Sequence, residues 1–247
     1  MKRYFAFLVI LALVGACATT ADAKRRVHRK AKPKAKTTAT VTITGRAQGH
    51  DYVDMGLPSG TLWATMNVGA SSPEDYGDYF AWGETAPKSV YNLNTYKWCN
   101  GDYDQLTKYC TDSDLGYNGF VDNKTELDLE DDAATANWGS GWRMPSLTQI
   151  QELIDSCTSE WTTINGVDGR LFKSKKNGAS LFFPAAGYRW SGGLNGLGSY
   201  GNYWSRTLYA GAPGSAYELL FSSGYVTWNY YWINRGGGRG VRAVRGS

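Results

Sequence analysis

The sequence predicts an α+β fold that is rich in loops, with twisted antiparallel strands and one clear amphipathic helix. Of the 247 residues, 30 are glycine, which is typical of a chain with many tight turns. Short runs of β-branched and aromatic residues alternate with Asn-Gly and similar turn signals in the second half of the chain. A helical spacing of apolar residues stands out after Pro145.

Residues 1–23 have the layout of a secretory signal peptide. Two basic residues precede an apolar run over Phe5–Val14, and Ala21-Asp22-Ala23 offers a cleavage site. The run is too short to cross a bilayer as a helix. A second interpretation stays open, because Val14-Gly15-Ala16-Cys17 resembles a bacterial lipobox in which Cys17 is lipidated. Both interpretations predict an exported protein, either secreted or held in the cell envelope as an outer-membrane surface lipoprotein.

A basic segment follows the signal peptide. Eight Lys and Arg residues lie between Lys24 and Lys36 and account for the formal net charge of +4. From Thr37 onward, 16 basic residues stand against 21 acidic ones, so nucleic acid is not an expected partner. We interpret residues 24–45 as a disordered tether; binding to anionic envelope polymers or lipid headgroups is the alternative.

The ligand-binding domain is predicted to span residues 46–247. Alternation of Thr with apolar residues over Thr37–Gly45 fits either the end of the tether or a first edge strand. Short strands are expected at Thr61–Thr65 and Phe80–Trp82. The polar, acidic stretch Thr85–Asp132 is expected to be a long irregular loop.

One helix carries its own start signal. The Ser146 side chain can cap the helix, and the Gln149 side chain, three residues later, can bond back to the Ser146 backbone, which makes a capping box. Four residues then repeat on one face: Ile150, Leu153, Ile154 and Cys157. The helix is therefore amphipathic and is expected to pack inward.

The second half of the domain is predicted to consist of hairpins. Turns are expected at Asn165-Gly166, Asp168-Gly169 and Asn177-Gly178. The expected strands are Trp161–Ile164, Arg170–Ser174, Ala179–Phe183, Tyr203–Arg206, Tyr217–Phe221, Tyr225–Trp228 and Gly240–Val244.

Cysteine and histidine usage argues against the common metal and nucleophile sites. Cys99 and Cys110 are close enough in sequence to form a disulfide, and Cys157 is expected to be a small hydrophobe at the helix end. The histidines are His28 in the tether and His50 at the domain edge. Zinc sites and His-assisted nucleophiles are therefore not expected, and His50 is interpreted as a surface or hydrogen-bonded residue.

Two acidic clusters, Glu74, Asp75, Asp78 and Glu84, and Asp128, Glu130, Asp131 and Asp132, are interpreted as solvated loop charges. One alternative is a carboxylate pair acting on envelope polysaccharide, which needs a defined separation across a cleft. The other is a calcium site in the loops, although the EF-hand-like stretch Asp112–Asn118 has Tyr117 where that loop needs glycine. We expect no enzyme activity, no metal site and no cofactor, with calcium as the alternative.

The C-terminal segment has the composition of a contact surface, because Tyr and Trp supply large rigid contact area. The expected ligand-binding residues are Tyr200, Arg206, Tyr209, Tyr225, Trp228, Asn229, Tyr230, Tyr231, Trp232 and Arg235. Arg206 and Arg235 flank the aromatic residues, whereas Arg242 and Arg245 alternate with valines and are expected to be structural. The alternative is that the rings fill a β core.

Six ordered stretches cover nearly all of Tyr52–Arg245: VDMGLPSGTLWATMNVGA, PEDYGDYFAWGE, NWGSGWRMPS, FFPAAGYR, YGNYWS and GVRAVR. They resemble the Fibrobacter-type major paralogous domain family of exported bacterial proteins, which belongs with the C-type lectin-like folds. Trp142–Ser146 is also similar to a stretch of formylglycine-generating-enzyme-like domains, but that activity uses late cysteines and none follows Cys157. The resemblance implies a twisted β fold whose N- and C-terminal strands come together.

Some domains of this type are similar to the variable target proteins of diversity-generating retroelements, in which a C-terminal cassette is rewritten. We therefore hypothesise that Tyr200–Asn234 is such a cassette on a fixed scaffold. The expected function is receptor- or adhesin-like binding of a protein or glycan on another cell or surface. Membrane association would come only through a lipid anchor. A lectin-like protein of fixed glycan specificity is the alternative.

Overall fold

Strands make up most of the regular structure in the computed structural model, which describes residues 40–228 and 233–246. The predicted signal peptide, the lipidation residue Cys17 and the cassette residues Asn229, Tyr230, Tyr231 and Trp232 lie outside the described residues. Within the described part of the chain, no helix is long and apolar enough to cross a membrane.

The strands in chain order are β1 (Gly45–Ala47), β2 (His50–Asp54), β3 (Leu62–Ala64), β4 (Cys157–Ile164), β5 (Val167–Ser174), β6 (Ser180–Pro184), β7 (Tyr188–Trp190), β8 (Gly193–Asn195), β9 (Gly201–Leu208), β10 (Ala216–Phe221), β11 (Val226–Thr227) and β12 (Val244–Arg245). Two α-helices, α1 (Ala133–Trp138) and α2 (Leu147–Ser156), lie between β3 and β4. The fold is therefore α+β and loop-rich, as predicted.

The first sheet joins the two ends of the domain. Its strand order is β1-β2-β3-β12, and β12 pairs with β3 through Val244 opposite Trp63 and Arg245 opposite Leu62. The N- and C-terminal strands thus lie side by side, as expected. Thr42 and Thr44, just before β1, also donate backbone hydrogen bonds to the domain, so the end of the predicted tether packs against it.

The second sheet, β4-β5-β6, is built from consecutive hairpins. Ile164 pairs with Val167 across Asn165-Gly166, and both turn residues have positive φ, which is the geometry of a two-residue hairpin turn. The turn expected at Asp168-Gly169 is wrong, since Gly169 lies inside β5. A Cβ on Gly169 would meet the Phe183 carbonyl and the Phe182 ring, so this glycine permits close packing instead.

Several elements differ from the prediction because tertiary pairing determines them. The strand expected at Phe80–Trp82 does not form, and Phe80 makes only an isolated β-bridge with Arg239. Of the strand expected at Gly240–Val244, only Val244 lies in β12. The stretch Thr85–Asp132 is irregular as predicted, with three one-turn 3₁₀ helices, while α1 and the β7–β8 hairpin were not predicted.

Helix α2 confirms the predicted capping box. The Ser146 side chain accepts from the Gln149 backbone N–H at 3.2 Å, and the Gln149 side chain accepts from the Ser146 N–H at 2.9 Å. Ile150 and Leu153 are fully buried. Cys157, at the start of β4, is also buried, and burial raises the pKa of its thiol to about 11. This cysteine therefore behaves as a small hydrophobe, as expected.

The remaining cysteines and His50 have local partners. Cys99 and Cys110 are free thiols whose Sγ atoms donate to the carbonyls of Asp102 and Asp112, so they do not form the disulfide that their spacing allowed. His50 stacks on Trp138, with ring centroids 3.7 Å apart, which assigns it a packing role.

The interior contains the C-terminal segment itself. Every residue from 235 to 244 is buried. Backbone hydrogen bonds connect Trp82 to Arg235, Val68 to Val241 and Ala64 to Ala243. The arginine- and glycine-rich end, expected to be a contact surface, is therefore largely core.

Replacing Ser146 by alanine is expected to lower the free energy of unfolding by about 1 kcal/mol, the usual cost of losing a helix N-cap. Urea titration of the wild type and the variant measures this difference. Thr148→Ala, at an exposed position of the same helix, is the matched control and should change stability little. Equal stability of Ser146→Ala and the control would contradict the capping role.

Candidate functional site

A cleft of about 600 Å³ opens beside the third sheet, whose strand order is β11-β10-β9. Its lining residues are Tyr188, Trp190, Tyr200, Asn202, Glu218, Leu220, Tyr225, Ile233, Asn234 and Arg239. The volume lies in the range of small-molecule binding sites. Two of the residues expected to bind ligand, Tyr200 and Tyr225, are brought together here.

Strand alternation explains which residues reach the cleft. Asn202 in β9 lies opposite Leu220 in β10, and Glu218 follows two positions away on the same face. The alternate residues of β10, Leu219 and Phe221, belong to a hydrophobic core cluster. Alternate residues of β10 therefore serve the cleft and the core.

The rim of the cleft is aromatic and accessible. Trp190, Tyr200 and Tyr225 are 37–42% exposed, and Leu194 and Leu197, which lie between Trp190 and Tyr200 in the chain, are 37% and 45% exposed. These five make up nearly half of the eleven large hydrophobic side chains exposed in the described ranges. Such a concentration of exposed apolar surface is typical of a binding site.

The floor of the cleft is a buried polar triad of Asn202, Glu218 and Arg239. Arg239 Nε donates to Glu218 Oε2 at 2.7 Å, and Asn202 Nδ2 donates to Glu218 Oε1 at 3.0 Å. Burial raises the pKa of Glu218, while Arg239 and Asn202 oppose that shift. Because both carboxylate oxygens accept N–H donors, the geometry is that of an ionised carboxylate.

Two atoms of this floor lack partners. Arg239 Nη1 and Asn202 Oδ1 are buried without a hydrogen bond, two of eight such side-chain atoms in the described ranges. An unmade hydrogen bond of a buried group costs about 1–3 kcal/mol. A Cβ on Gly237 would meet Arg239 Nη1, so glycine there leaves room for the guanidinium. The floor thus holds one unused donor group and one unused acceptor.

Two further predicted aromatic residues, Tyr209 and Trp228, contact Tyr217 of β10. The ring of Tyr217 is 5.4 Å from that of Tyr209 and 6.4 Å from that of Trp228. Neither Tyr209 nor Trp228 is among the residues that line the cleft. They form an aromatic group around Tyr217 on the same sheet.

Arg235, which was expected to contact ligand, is instead buried within the protein, where it is 1% exposed. Its guanidinium donates to the carbonyls of Tyr109 at 2.8 Å and Lys108 at 3.1 Å. It also lies over the Trp82 ring, 5.3 Å from the centroid. Arg235 therefore fixes the Thr85–Asp132 loop to the C-terminal segment.

Arg206 is also used within the protein and lies away from the cleft lining. It donates to the Met144 carbonyl at 2.9 Å and to Gln149 Oε1 at 3.0 Å, and its Nε is 3.1 Å from Glu126 Oε2. These bonds hold β9 against the start of α2. The structural role expected for Arg242 is confirmed: it is 1% exposed and donates to the backbone and side chains of the core.

Sequence reasoning missed Tyr188, Trp190, Asn202, Glu218 and Arg239. Trp190 precedes Ser191-Gly192, and both of these residues have positive φ at the β7–β8 turn. A Ser-Gly pair is a turn signal, so this hairpin was detectable. The floor residues carry no comparable local signal.

Three carboxylates of the second acidic cluster share one lysine. Carboxylate oxygens of Asp128, Glu130 and Asp131 lie within 4.8 Å of one another, but Lys108 Nζ is 2.8, 3.3 and 2.6 Å from them. Burial lowers the pKa of Lys108, yet these hydrogen bonds outweigh it and raise the pKa overall. The ammonium thus occupies the position between the carboxylates that a bound cation would take.

Other candidate calcium ligands have structural partners. Asp132 caps α1 by accepting from the Thr135 N–H at 2.9 Å. In the EF-hand-like stretch, Asp112 accepts from the Asp114 N–H at 3.0 Å, and a 3₁₀ helix starts at Tyr117. These carboxylates therefore shape turns and helix ends.

The chemistry of the cleft suits binding. Flat rings surround a floor in which Glu218 and Arg239 cancel each other's charge, and Glu218 is the one carboxylate among the lining residues that the structure describes. Comparisons of the chain with protein-family models, curated proteins and solved structures found no significant match.

Replacing Asp128 by asparagine is expected to lower stability at neutral pH, by an amount that shrinks as the pH falls. Hydrogen bonds from Lys108 and Lys124 hold the Asp128 pKa at about 2, below its usual 3.8. The stabilisation is therefore fully present above pH 3.8 and is lost as the pH falls toward 2. Urea titrations at pH 7, 4 and 2.5 measure the change.

The exposed helix residue Asp155 provides the matched control. Asp155→Asn should leave stability nearly unchanged at each pH. A deficit of Asp128→Asn that stays constant down to pH 2.5 would contradict the ion-pair explanation.

Proposed function

We propose that this chain is an exported, non-catalytic binding protein, receptor- or adhesin-like, whose cleft holds part of a ligand on another cell or surface. The observation that carries the proposal is the accessible aromatic rim above a buried polar floor with unused hydrogen-bonding atoms. Rings of this kind supply rigid contact area, and a few placed polar groups supply specificity.

We also propose a C-type lectin-like fold and membership of the major paralogous domain family. The side-by-side N- and C-terminal strands support this. The stretches that carry the resemblance also supply core residues: Trp63, Trp82, Trp142, Trp204 and Arg242 are each at most 1% exposed. Core positions are those on which a shared fold would depend.

We propose that the cleft is not catalytic because the carboxylate of Glu218 is already hydrogen-bonded. A glycosidase of the usual kind needs two carboxylates flanking the scissile bond. In the cleft, both oxygens of Glu218 are engaged by Asn202 and Arg239. The carboxylate is therefore better suited to hold the floor than to transfer a proton.

The proposal that Tyr200–Asn234 is a diversified cassette leads to a position-specific prediction. Codons of the cleft rim, at Tyr200, Tyr225 and Asn234, should vary, whereas those of the buried Leu219 and Phe221 should stay constant because core substitutions cost several kcal/mol. Amplicon sequencing of the 3′ end of the gene across sister cells from one colony measures this.

Two results would count against diversification. A uniform cassette would favour the alternative of a lectin-like protein with one fixed glycan ligand. Changes spread evenly over rim and core codons would contradict a fixed scaffold.

A second prediction concerns binding itself. On glycan and cell-surface protein arrays, Tyr200→Ala is expected to weaken the wild-type signal about tenfold, which is the effect of losing about 1.4 kcal/mol of contact energy. Tyr117→Ala is the matched control, because Tyr117 is 41% exposed against 42% for Tyr200 and does not line the cleft. Equal loss in both variants, or in neither, would contradict a binding role of the cleft.

A further inference from the structure

We infer that the cleft binds a neutral N-acetylated sugar and places the acetamido group against the floor formed by Asn202, Glu218 and Arg239. This inference rests on the proposed binding function of the cleft and deepens it by naming the ligand class. Three properties of the lining lead to it: its charge, its unused hydrogen-bonding atoms and its apolar surfaces.

The charge of the lining favours a neutral ligand. Arg239 and Glu218 form an ion pair at 2.7 Å, and the other described residues of the lining are uncharged. A carboxylate or phosphate would find a cation already neutralised, and an ammonium group would find a carboxylate already bonded. Binding should therefore depend little on salt.

The unused atoms favour a ligand that brings one hydrogen-bond acceptor and one donor. Arg239 Nη1 lacks an acceptor and Asn202 Oδ1 lacks a donor. Because one carboxylate, Glu218, holds both side chains, these atoms belong to a single polar floor just beneath the cleft surface. An amide supplies a carbonyl oxygen and an N–H in one group, and it therefore matches both unused atoms of two side chains that line the cleft.

The apolar part of the lining favours an acetyl amide on a sugar. Leu220 and Ile233 lie beside the triad in the same cleft and can receive the methyl group. Above them, the exposed rings of Trp190 and Tyr200 offer flat faces for the C–H surface of a pyranose ring. A peptide amide presents the same hydrogen-bonding atoms but continues into a substituted Cα in place of a methyl group.

The test compares three disaccharides that differ only in the substituent that each sugar ring carries at one position. Calorimetry of the full-length protein measures binding of di-N-acetylchitobiose, of cellobiose, which has hydroxyls in place of the acetamido groups, and of the de-acetylated diamine. Chitobiose is expected to bind at least about tenfold more tightly than either of the others, a difference of about 1.4 kcal/mol. Its affinity should be the same in low and high salt.

Two variants test the placement. Asn202→Ala is expected to remove most of the preference for chitobiose over cellobiose, while Tyr200→Ala is expected to weaken both sugars alike. Because Asn202 is buried, a melting curve must first show that the Asn202→Ala variant folds. If this variant does not fold, Tyr200→Ala, at an exposed position, tests the site instead. Tyr117→Ala should bind as the wild type does.

The outcomes separate this inference from the proposed function. Equal binding of chitobiose and cellobiose, or binding of acetylated peptides without chitobiose, would overturn the inference. The proposed function would still stand if the array signal depended on Tyr200. Loss of the array dependence on Tyr200 as well would overturn both.

Discussion

The interaction on which the rest of the structure depends is the burial of three arginines in the C-terminal segment. Arg235, Arg239 and Arg242 are at most 7% exposed. Arg235 donates to the loop carbonyls of Lys108 and Tyr109, and Arg242 donates to carbonyls of β3 and β6. A buried guanidinium is costly unless its donors are bonded, so these bonds fix distant parts of the chain to the C-terminal segment.

Glycines make this central path possible. A Cβ on Gly238 would lie 2.7 Å from the ring of Tyr91, and one on Gly240 would lie 3.0 Å from the ring of Tyr203. The backbone therefore passes where no side chain fits, and the arginines between the glycines reach outward to their partners. Because Arg239 belongs to this path, the floor of the cleft is part of the same structure that holds the core together.

The elements that the sequence predicted correctly are those with local causes. The capping box of α2 lies within Ser146–Gln149, and the first hairpin of the second sheet depends on Asn165-Gly166 alone. The burial of Arg235 could not be predicted in this way, because its acceptors are 126 and 127 positions away in the chain. Local composition predicted an exposed cation, whereas hydrogen bonds to distant carbonyls keep this side chain buried.

The candidate site divides in the same manner. Tyr200 and Tyr225 were predicted from composition, since aromatic residues in a Gly- and Ser-rich segment are typical of contact surfaces. Asn202, Glu218 and Arg239 meet only because β9 pairs with β10 in one register and the C-terminal segment returns beside them. A single sequence contains no measure of that register, which is set by tertiary packing.

Rim and floor therefore face different constraints. Exposed positions such as Trp190 and Tyr200 can change with stability effects within about 0.5 kcal/mol. Removing one member of the Glu218–Arg239 pair leaves a buried charge unpaired, at a cost of about 3–5 kcal/mol. Variation of the rim is thus compatible with the fold, whereas variation of the floor is not. A diversified protein of this design would keep one polar recognition element constant and change the surface around it, so its ligands would share a small common group and differ in what surrounds that group.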